Sequence, residues 1–393
     1  MDTIDIANTI TQRLWVERLV LTNFRNYASA TFSFGPQPVV LVGQNGAGKT
    51  NLMEAVSLLS AGQGLRRASY PEISRANGTG GWSVAATMHT TAGALDIGTG
   101  LAPSSAASAR SGRIVRIDGE TQGGTGILAD LVEMVWLTPS MDGLFTGPAS
   151  ERRRFLDRLI LCFDPGYRTR LGHFERAMQS RNRLLADGVT DRFRLEGFER
   201  VMVETGIAIA AARLEAVGQL AGTIAQRRSR TPDSPFPWAA LALEGTLETE
   251  LAQRAAVDVE EIYAGQLAAT RERDRAAGRT LTGPHRSDLV VGHGPKDMPS
   301  RLCSTGEQKA LLVGLVLAHA ELASQRRDGI APILLLDEIA AHLDPARRSA
   351  LYDEILRLRL QAWMTGTDLD PFIPLTGHAQ FFHVEEARLT SIA

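Results

Sequence analysis

Residues Gly43, Gln44, Asn45, Gly46, Ala47, Gly48, Lys49 and Thr50 run in the pattern G-x-x-x-x-G-K-[ST]. A glycine loop of this kind turns backbone N–H groups toward an anion. Lys49 adds a compact positive charge, and the Thr50 hydroxyl is suited to the shell of a Mg²⁺ ion. The chain has 42 basic residues, and only Lys49, Lys296 and Lys309 among them are lysines. A lysine here is therefore not composition drift, and a planar guanidinium would fit poorly among converging N–H groups. A second group lies far downstream, where the apolar run Ile333-Leu334-Leu335-Leu336 ends in Asp337-Glu338. Beside a phosphate loop this reads as a Walker B element: Asp337 holds the metal shell and Glu338 polarises an attacking water. A third group, Ser304-Thr305-Gly306-Glu307-Gln308, opens an apolar helix. A small hydroxyl and a glycine at a helix N-terminus make a second phosphate nest, although on its own the segment reads better as a simple N-cap. Two nests for one γ-phosphate suggest a sandwich dimer, in which Ser304 of one copy closes over nucleotide held by the other.

These residues need particular elements to hold them. Pro38–Val42 is a short β-branched run that predicts a buried strand entering the glycine loop, and Asn51–Ser60 continues as a helix with Leu52, Ala55, Val56 and Leu59 on one face. Strands are predicted at Trp15–Leu21 and Ala30–Phe34, then a polar loop over Leu65–Gly81. Val84–Met88, Ala94–Ile97 and Arg113–Asp118 follow as an antiparallel meander, with Met134–Leu137 as a further strand. From about Ser150 the chain becomes Arg-rich and helical, with a short strand expected at Leu241–Leu247 and helix again over Glu250–Ala277. Strand and helix alternate once more from Leu289, and Ala362-Trp363-Met364 reads as the last buried strand. The expected fold is α/β: a P-loop head with a mixed sheet and an antiparallel β meander, plus an inserted α-helical domain. The expected domains are an N-terminal extension (1–13), the N-terminal part of the head (14–145), the helical insertion (146–280) and the C-terminal part of the head (281–393).

Composition narrows the class. The chain is 393 residues long, 44% hydrophobic and 22% charged, with a formal net charge of −2, which argues against a wholly basic nucleic-acid-coating protein. Cys162 and Cys303 are the only cysteines, so neither a disulfide framework nor a zinc cluster is supported. No apolar run is long enough to span a membrane and the N-terminus does not read as a signal peptide, so the expected location is the cytoplasm.

The motifs come in the order P-loop, helical insertion, Ser-Thr-Gly-Glu-Gln, Leu-Leu-Leu-Asp-Glu and His342-Leu343-Asp344. This order resembles the ABC-type and SMC-like ATPase heads. Leu21-Thr-Asn-Phe-Arg-Asn-Tyr27, Arg152-Arg-Arg-Phe-Leu-Asp157, Gly283-Pro-His-Arg286 and Ser304-Thr-Gly-Glu-Gln-Lys-Ala-Leu311 extend the likeness to the RecF family of bacterial replication and recombination-repair proteins. The resemblance implies ATP and Mg²⁺ at Gly43–Thr50, with Thr50 and Asp337 toward the metal and Glu338 catalytic. It places Arg25 and Asn26 near the nucleotide. It assigns Ser304, Thr305, Gly306 and Glu307 to the signature acting across a dimer, and Asp344 to the D-loop. It further implies an ATP-dependent homodimer that clamps single-stranded or duplex DNA, or junctions and gaps, with little sequence preference. Slow hydrolysis would reset the clamp. Mediator partners of the RecO/RecR kind, a role in the SOS response and no membrane association complete the implied picture. The same motifs leave open the ATP-hydrolysing subunit of an ABC transporter.

Two positions depart from the family pattern. Thr365-Gly366-Thr367 stands where transporters carry a switch histidine, so γ-phosphate sensing must use hydroxyls or a weaker contact. Ser287 stands where an acid is expected. A DNA contact is read at Arg152, Arg153, Arg154, Arg181 and Arg183, but acids are interleaved with these arginines, and a solvated, salt-bridged helix face accounts for them equally well.

Overall fold

A computed structural model describes residues 13–78, 80–90, 93–103, 112–164, 166–189 and 191–392. Apart from Arg13, the expected N-terminal extension lies outside the described residues. The chain divides into two units: Met1–Asp142, Asp233–Phe236 and Leu312–Ala393 form the first, and Gly143–Pro232 with Pro237–Leu311 the second.

The first unit has two sheets. One is antiparallel, in the order β2-β1-β4-β5-β6-β7, built from β1 (Trp15–Phe24), β2 (Tyr27–Ser33), β4 (Trp82–Thr90), β5 (Gly93–Leu101), β6 (Ile114–Ile117) and β7 (Glu120–Thr121). It includes the expected meander. On β1 and β4, alternate side chains such as Leu19, Leu21, Val84 and Ala86 are buried, as expected for a sheet with one face on the core. The other sheet runs β15-β14-β3-β13-β12-β8. Its members are β3 (Val39–Val42), β8 (Met134–Leu137), β12 (Ile333–Leu336), β13 (Ala362–Gly366), β14 (Gln380–Glu385) and β15 (Arg388–Ile392). From β14 to β8 every pairing is parallel. The strands Val-Val-Leu-Val, Met-Val-Trp-Leu and Ile-Leu-Leu-Leu are buried throughout, as parallel strands covered on both faces are.

Ala362-Trp363-Met364 is therefore not the last strand. The β14–β15 hairpin follows it, turning at Glu386 and Ala387 with φ of 45° and 61°. A two-residue hairpin turn of this hand normally carries Asn or Gly, and neither is present to mark it.

The second unit holds the helices Ala149–Leu161, Gly166–Ala186 and Arg192–Arg230, the last 39 residues long. It also has a small sheet in the order β11-β10-β9, made of β9 (Ala239–Glu244), β10 (Asp288–His293) and β11 (Met298–Pro299). The strand expected at Leu241–Leu247 ends at Glu244. The single helix expected over Glu250–Ala277 is three: Thr246–Leu251, Ala256–Ala269 and Arg271–Ala277. Antiparallel pairing of β10 with β9, from Asp288 opposite Glu244 to His293 opposite Ala239, keeps the chain after residue 280 in this unit. The motif Gly283–Arg286 and the nest Ser304–Glu307 therefore lie in the second unit. The boundary expected at 280 stands instead at Leu311.

Candidate functional site

Strand β3 delivers the chain into the glycine loop, and the helix Lys49–Ser57 leaves it. Two glycines are dictated by their surroundings. Gly43 has φ +153°, and a Cβ there would lie 2.3 Å from the Val384 carbonyl oxygen. Gly48 has φ +118°, and a Cβ would meet Asn26 Nδ2 at 2.7 Å. The Lys49 ammonium is buried inside the loop, donating to the carbonyls of Gly43 at 2.6 Å and Gln44 at 2.9 Å. Burial lowers its pKa, while Glu338 and Asp337 pull the other way.

The parallel order β3-β13-β12 brings the Walker B carboxylates to the same sheet edge as the loop. Asp337 Oδ1 accepts from the Thr50 hydroxyl at 3.1 Å and the Thr365 hydroxyl at 2.8 Å. Glu338 has φ +57°, an unusual conformation for a residue with a side chain. Its N–H donates to Thr365 Oγ1 at 2.8 Å, and its carbonyl pairs with His342 Nδ1 at 2.7 Å. The hydroxyl of Thr50 and carboxylate of Asp337 form a hard-oxygen pair that fits Mg²⁺, an ion that usually keeps several waters and takes its other ligands from phosphate. Among the described residues, no group of three or more His, Cys, Asp or Glu forms an alternative metal cage. Thr365 is fully buried, with its hydroxyl committed to Asp337 and Glu338.

Arg25 and Asn26 form the two-residue turn between β1 and β2. Asn26 lies against the loop: its Nδ2 donates to the Ala47 carbonyl at 3.3 Å, and its Oδ1 accepts from Asn51 at 2.7 Å. The Arg25 guanidinium is bidentate to the buried Glu54, at 2.8 and 2.7 Å. Asp344 caps the helix Pro345–Arg357, accepting from the Arg347 N–H at 2.9 Å.

In the second unit Ser304, Thr305 and Gly306 are exposed at the start of the helix Thr305–Arg326. Ser304 and Glu307 make a capping box. The Ser304 N–H and hydroxyl both donate to Glu307 Oε2 at 3.0 Å, and Glu307 N–H returns to Ser304 Oγ at 3.4 Å. Lys296 pairs with the other Glu307 oxygen, and with the Ser304 bonds it holds the carboxyl pKa down at about 2.

The five arginines read as DNA contacts separate by burial. Arg181 has no exposed surface: it pairs with Glu199 at 3.0 Å and Asp274 at 2.8 Å, and donates to Thr280 and the Leu267 carbonyl. A guanidinium enclosed by two carboxylates cannot reach a DNA phosphate, so Arg181 is a packing residue. Arg152 is bidentate to Asp288 at 2.8 and 2.7 Å, and Arg153 donates to the Ser287 carbonyl at 2.6 Å. Arg154 and Arg183 are exposed. Ser287, where an acid is expected, is buried and donates its hydroxyl to Glu248 at 2.5 Å. His285 Nε2 pairs with the Thr280 carbonyl at 2.9 Å, a local structural bond.

The family model described as RecF/RecN/SMC N terminal domain matches residues 15–365. The DNA replication and repair protein RecF of Mesorhizobium japonicum is 54% identical over 371 residues, covering 94% of this chain and 96% of that one. RecF of Brucella suis biovar 1 is 52% identical over 382 residues, 97% of each chain. The chain belongs to the RecF family. A solved structure of the recombination mediator protein RecF with ATPrS, from the RecFOR pathway, shares the RecF fold described here. Its TM-score is 0.83 at 21% identity, over 97% of this chain and 99% of that one. An SMC head bound to the C-winged helix domain of ScpA aligns with a TM-score of 0.55 at 15% identity, over 96% of this chain and 98% of that one. The transporter alternative has no support in these relatives.

Sequence reasoning missed several residues that shape this RecF site. Val384 and Ala387 of the unforeseen hairpin brace the loop, with the Ala387 N–H donating to the Ala47 carbonyl at 3.3 Å. Arg66 reaches Asn51 at 2.6 Å, next to Asn26 and Arg25. The Tyr27 hydroxyl donates to the Gly48 carbonyl at 3.2 Å. The only advance signal was the tyrosine closing the motif Leu21–Tyr27. Among the described residues no helix is long and apolar enough to cross a membrane.

Proposed function

We propose that this chain is an ATP-dependent DNA-binding protein of recombinational repair and replication-fork maintenance. ATP and Mg²⁺ bind at Gly43–Thr50, with Thr50 and Asp337 toward the metal and Glu338 polarising the attacking water. Arg25 acts on that site through Glu54, and Asn26 through the loop backbone. Ser304, Thr305, Gly306 and Glu307 of a second copy meet the γ-phosphate, and Asp344 lies at the interface so formed. The dimer holds single-stranded or duplex DNA, gaps and junctions included, by backbone charge. Arg154 and Arg183 are the exposed contacts among the arginines considered. Mediator partners of the RecO/RecR kind, a contribution to the SOS response and a cytoplasmic location belong to the same reading, as they do for a repair protein.

The observation that carries this reading is the contrast between a buried, prearranged P-loop and an exposed nest that no nucleotide on its own requires. Mechanistically, bound Mg²⁺ would neutralise phosphate charge. The loop N–H groups and Lys49 orient the triphosphate, Asp337 is kept aimed by Thr365, and Glu338 takes a proton from the attacking water. Sedimentation with and without ATP and Mg²⁺, followed by addition of gapped DNA, tests the proposal. A chain that stays monomeric at micromolar concentration with ATP would overturn it.

A further inference from the structure

The proposed role of Ser304 raises a problem of charge. A signature that must approach a γ-phosphate carries a carboxylate, Glu307, hydrogen-bonded directly to the serine hydroxyl. An unneutralised carboxylate at this place would repel the triphosphate of the second copy. The structure supplies a counter-charge from eleven residues upstream. Lys296 follows β10 in a short helical turn, and its ammonium grips the Glu307 oxygen that the serine does not use.

That turn is held by backbone and ring contacts within the second unit. The Lys296 N–H donates to Nδ1 of the buried His293 at 3.2 Å. The Gly294 N–H donates to the Trp238 carbonyl at 3.0 Å, and a Cβ on Gly294 would fall 2.1 Å from the Trp238 ring. The other end of the constraint is Arg228, in the last turn of the helix Arg192–Arg230, whose guanidinium lies 4.6 Å from the Trp238 ring centroid. A continuous set of contacts therefore runs from the end of the long helix through Trp238, Gly294 and Lys296 to Glu307 and Ser304. Lys296 and Glu307 are both partly exposed, and pairs of that kind add little to fold stability. Stability does not account for so constrained a placement.

We propose that Lys296 is a positioning residue for the ATP-driven dimer: it neutralises and orients Glu307, so that Ser304 can meet the γ-phosphate of a second copy. The inference rests on the signature acting in trans. Its test uses the full chain with a non-hydrolysable ATP analogue and Mg²⁺, and reads the dimer dissociation constant by sedimentation equilibrium and monomer nucleotide affinity by fluorescence. Lys296→Met is expected to weaken the dimer about tenfold or more at low salt, with the deficit shrinking as salt rises and monomer nucleotide affinity unchanged. Lys296→Met combined with Glu307→Gln removes both charges and is expected to recover most of the loss. An unchanged dimer constant for Lys296→Met, or a double variant no better than the single, overturns the proposal. Ser304→Arg is the control. If it abolishes dimerisation while Lys296→Met does nothing, only the role of Lys296 falls. If Ser304→Arg dimerises normally, the trans signature falls and the role of Lys296 falls with it.

Discussion

The two proposed anion nests of this chain are built in opposite ways. At the P-loop, the ammonium of Lys49 is buried and already bonded to loop carbonyls, and Asp337 is already held by two hydroxyls. At the signature, Ser304, Thr305 and Gly306 face solvent, and the serine is occupied only by a capping box. A site that binds a ligand from solution gains from preorganisation, because little freedom is then lost on binding. A site that must meet ligand held by another molecule has to be exposed, and its free donors need a temporary partner. The same division runs through the arginines of the second unit: Arg181 and Arg213 are buried among carboxylates, while Arg154 and Arg183 are exposed.

Five variants can break or sharpen this contrast. The largest effect is expected from Lys49→Arg. A guanidinium cannot fit the pocket that the ammonium fills, so ATP turnover should fall by about a thousandfold and the dimer should be lost; near-normal steady-state turnover would show that the prearranged nest is not the nucleotide site. Glu338→Gln keeps the shape and loses the base. Turnover should drop about a hundredfold or more while the ATP-bound dimer accumulates, which single-turnover kinetics and light scattering would detect together.

Arg181→Ala leaves Glu199 and Asp274 buried with a missing partner, and should cost about 3–5 kcal/mol in denaturant unfolding of the second unit. Its DNA-binding salt slope should be unaltered wherever the protein remains folded. Arg154→Ala and Arg183→Ala are the smallest changes. Each should reduce that slope by about one, with stability unmoved, in a fluorescence titration of duplex and gapped DNA over several salt concentrations. Equal slopes for wild type and both variants would place the DNA contacts elsewhere.

The parts of the site legible in the sequence are those whose chemistry is contiguous. The loop Gly43–Thr50, the strand before it and the pair Asp337-Glu338 each carry their pattern in a single stretch, and the fold places them where those patterns imply. What escaped depends on pairing between distant segments. Residues 281–311 belong with the helical unit because β10 pairs with β9, and no local pattern announces that register. The β14–β15 hairpin turns on Glu386 and Ala387, neither of which is a typical turn residue. Residue type was likewise insufficient for the arginines, since burial depends on which carboxylates arrive from elsewhere in the chain. Arg181 is matched by Asp274, 93 positions away. Thr365-Gly366-Thr367 stands where a switch histidine is expected, but the place of Thr365 beside Asp337 and Glu338 comes from the parallel pairing of β12 with β13.

The contact between Gly43 and the Val384 carbonyl has a consequence for biosynthesis. The glycine loop is synthesised well before the strand against which it closes, Gln380–Glu385. At ordinary rates of about 5–20 residues per second, the intervening 340 or so residues take roughly 17–70 seconds. Through that interval the nascent chain carries a nucleotide motif with one wall missing. Gly43 therefore has no Val384 carbonyl to close against until the hairpin has been synthesised.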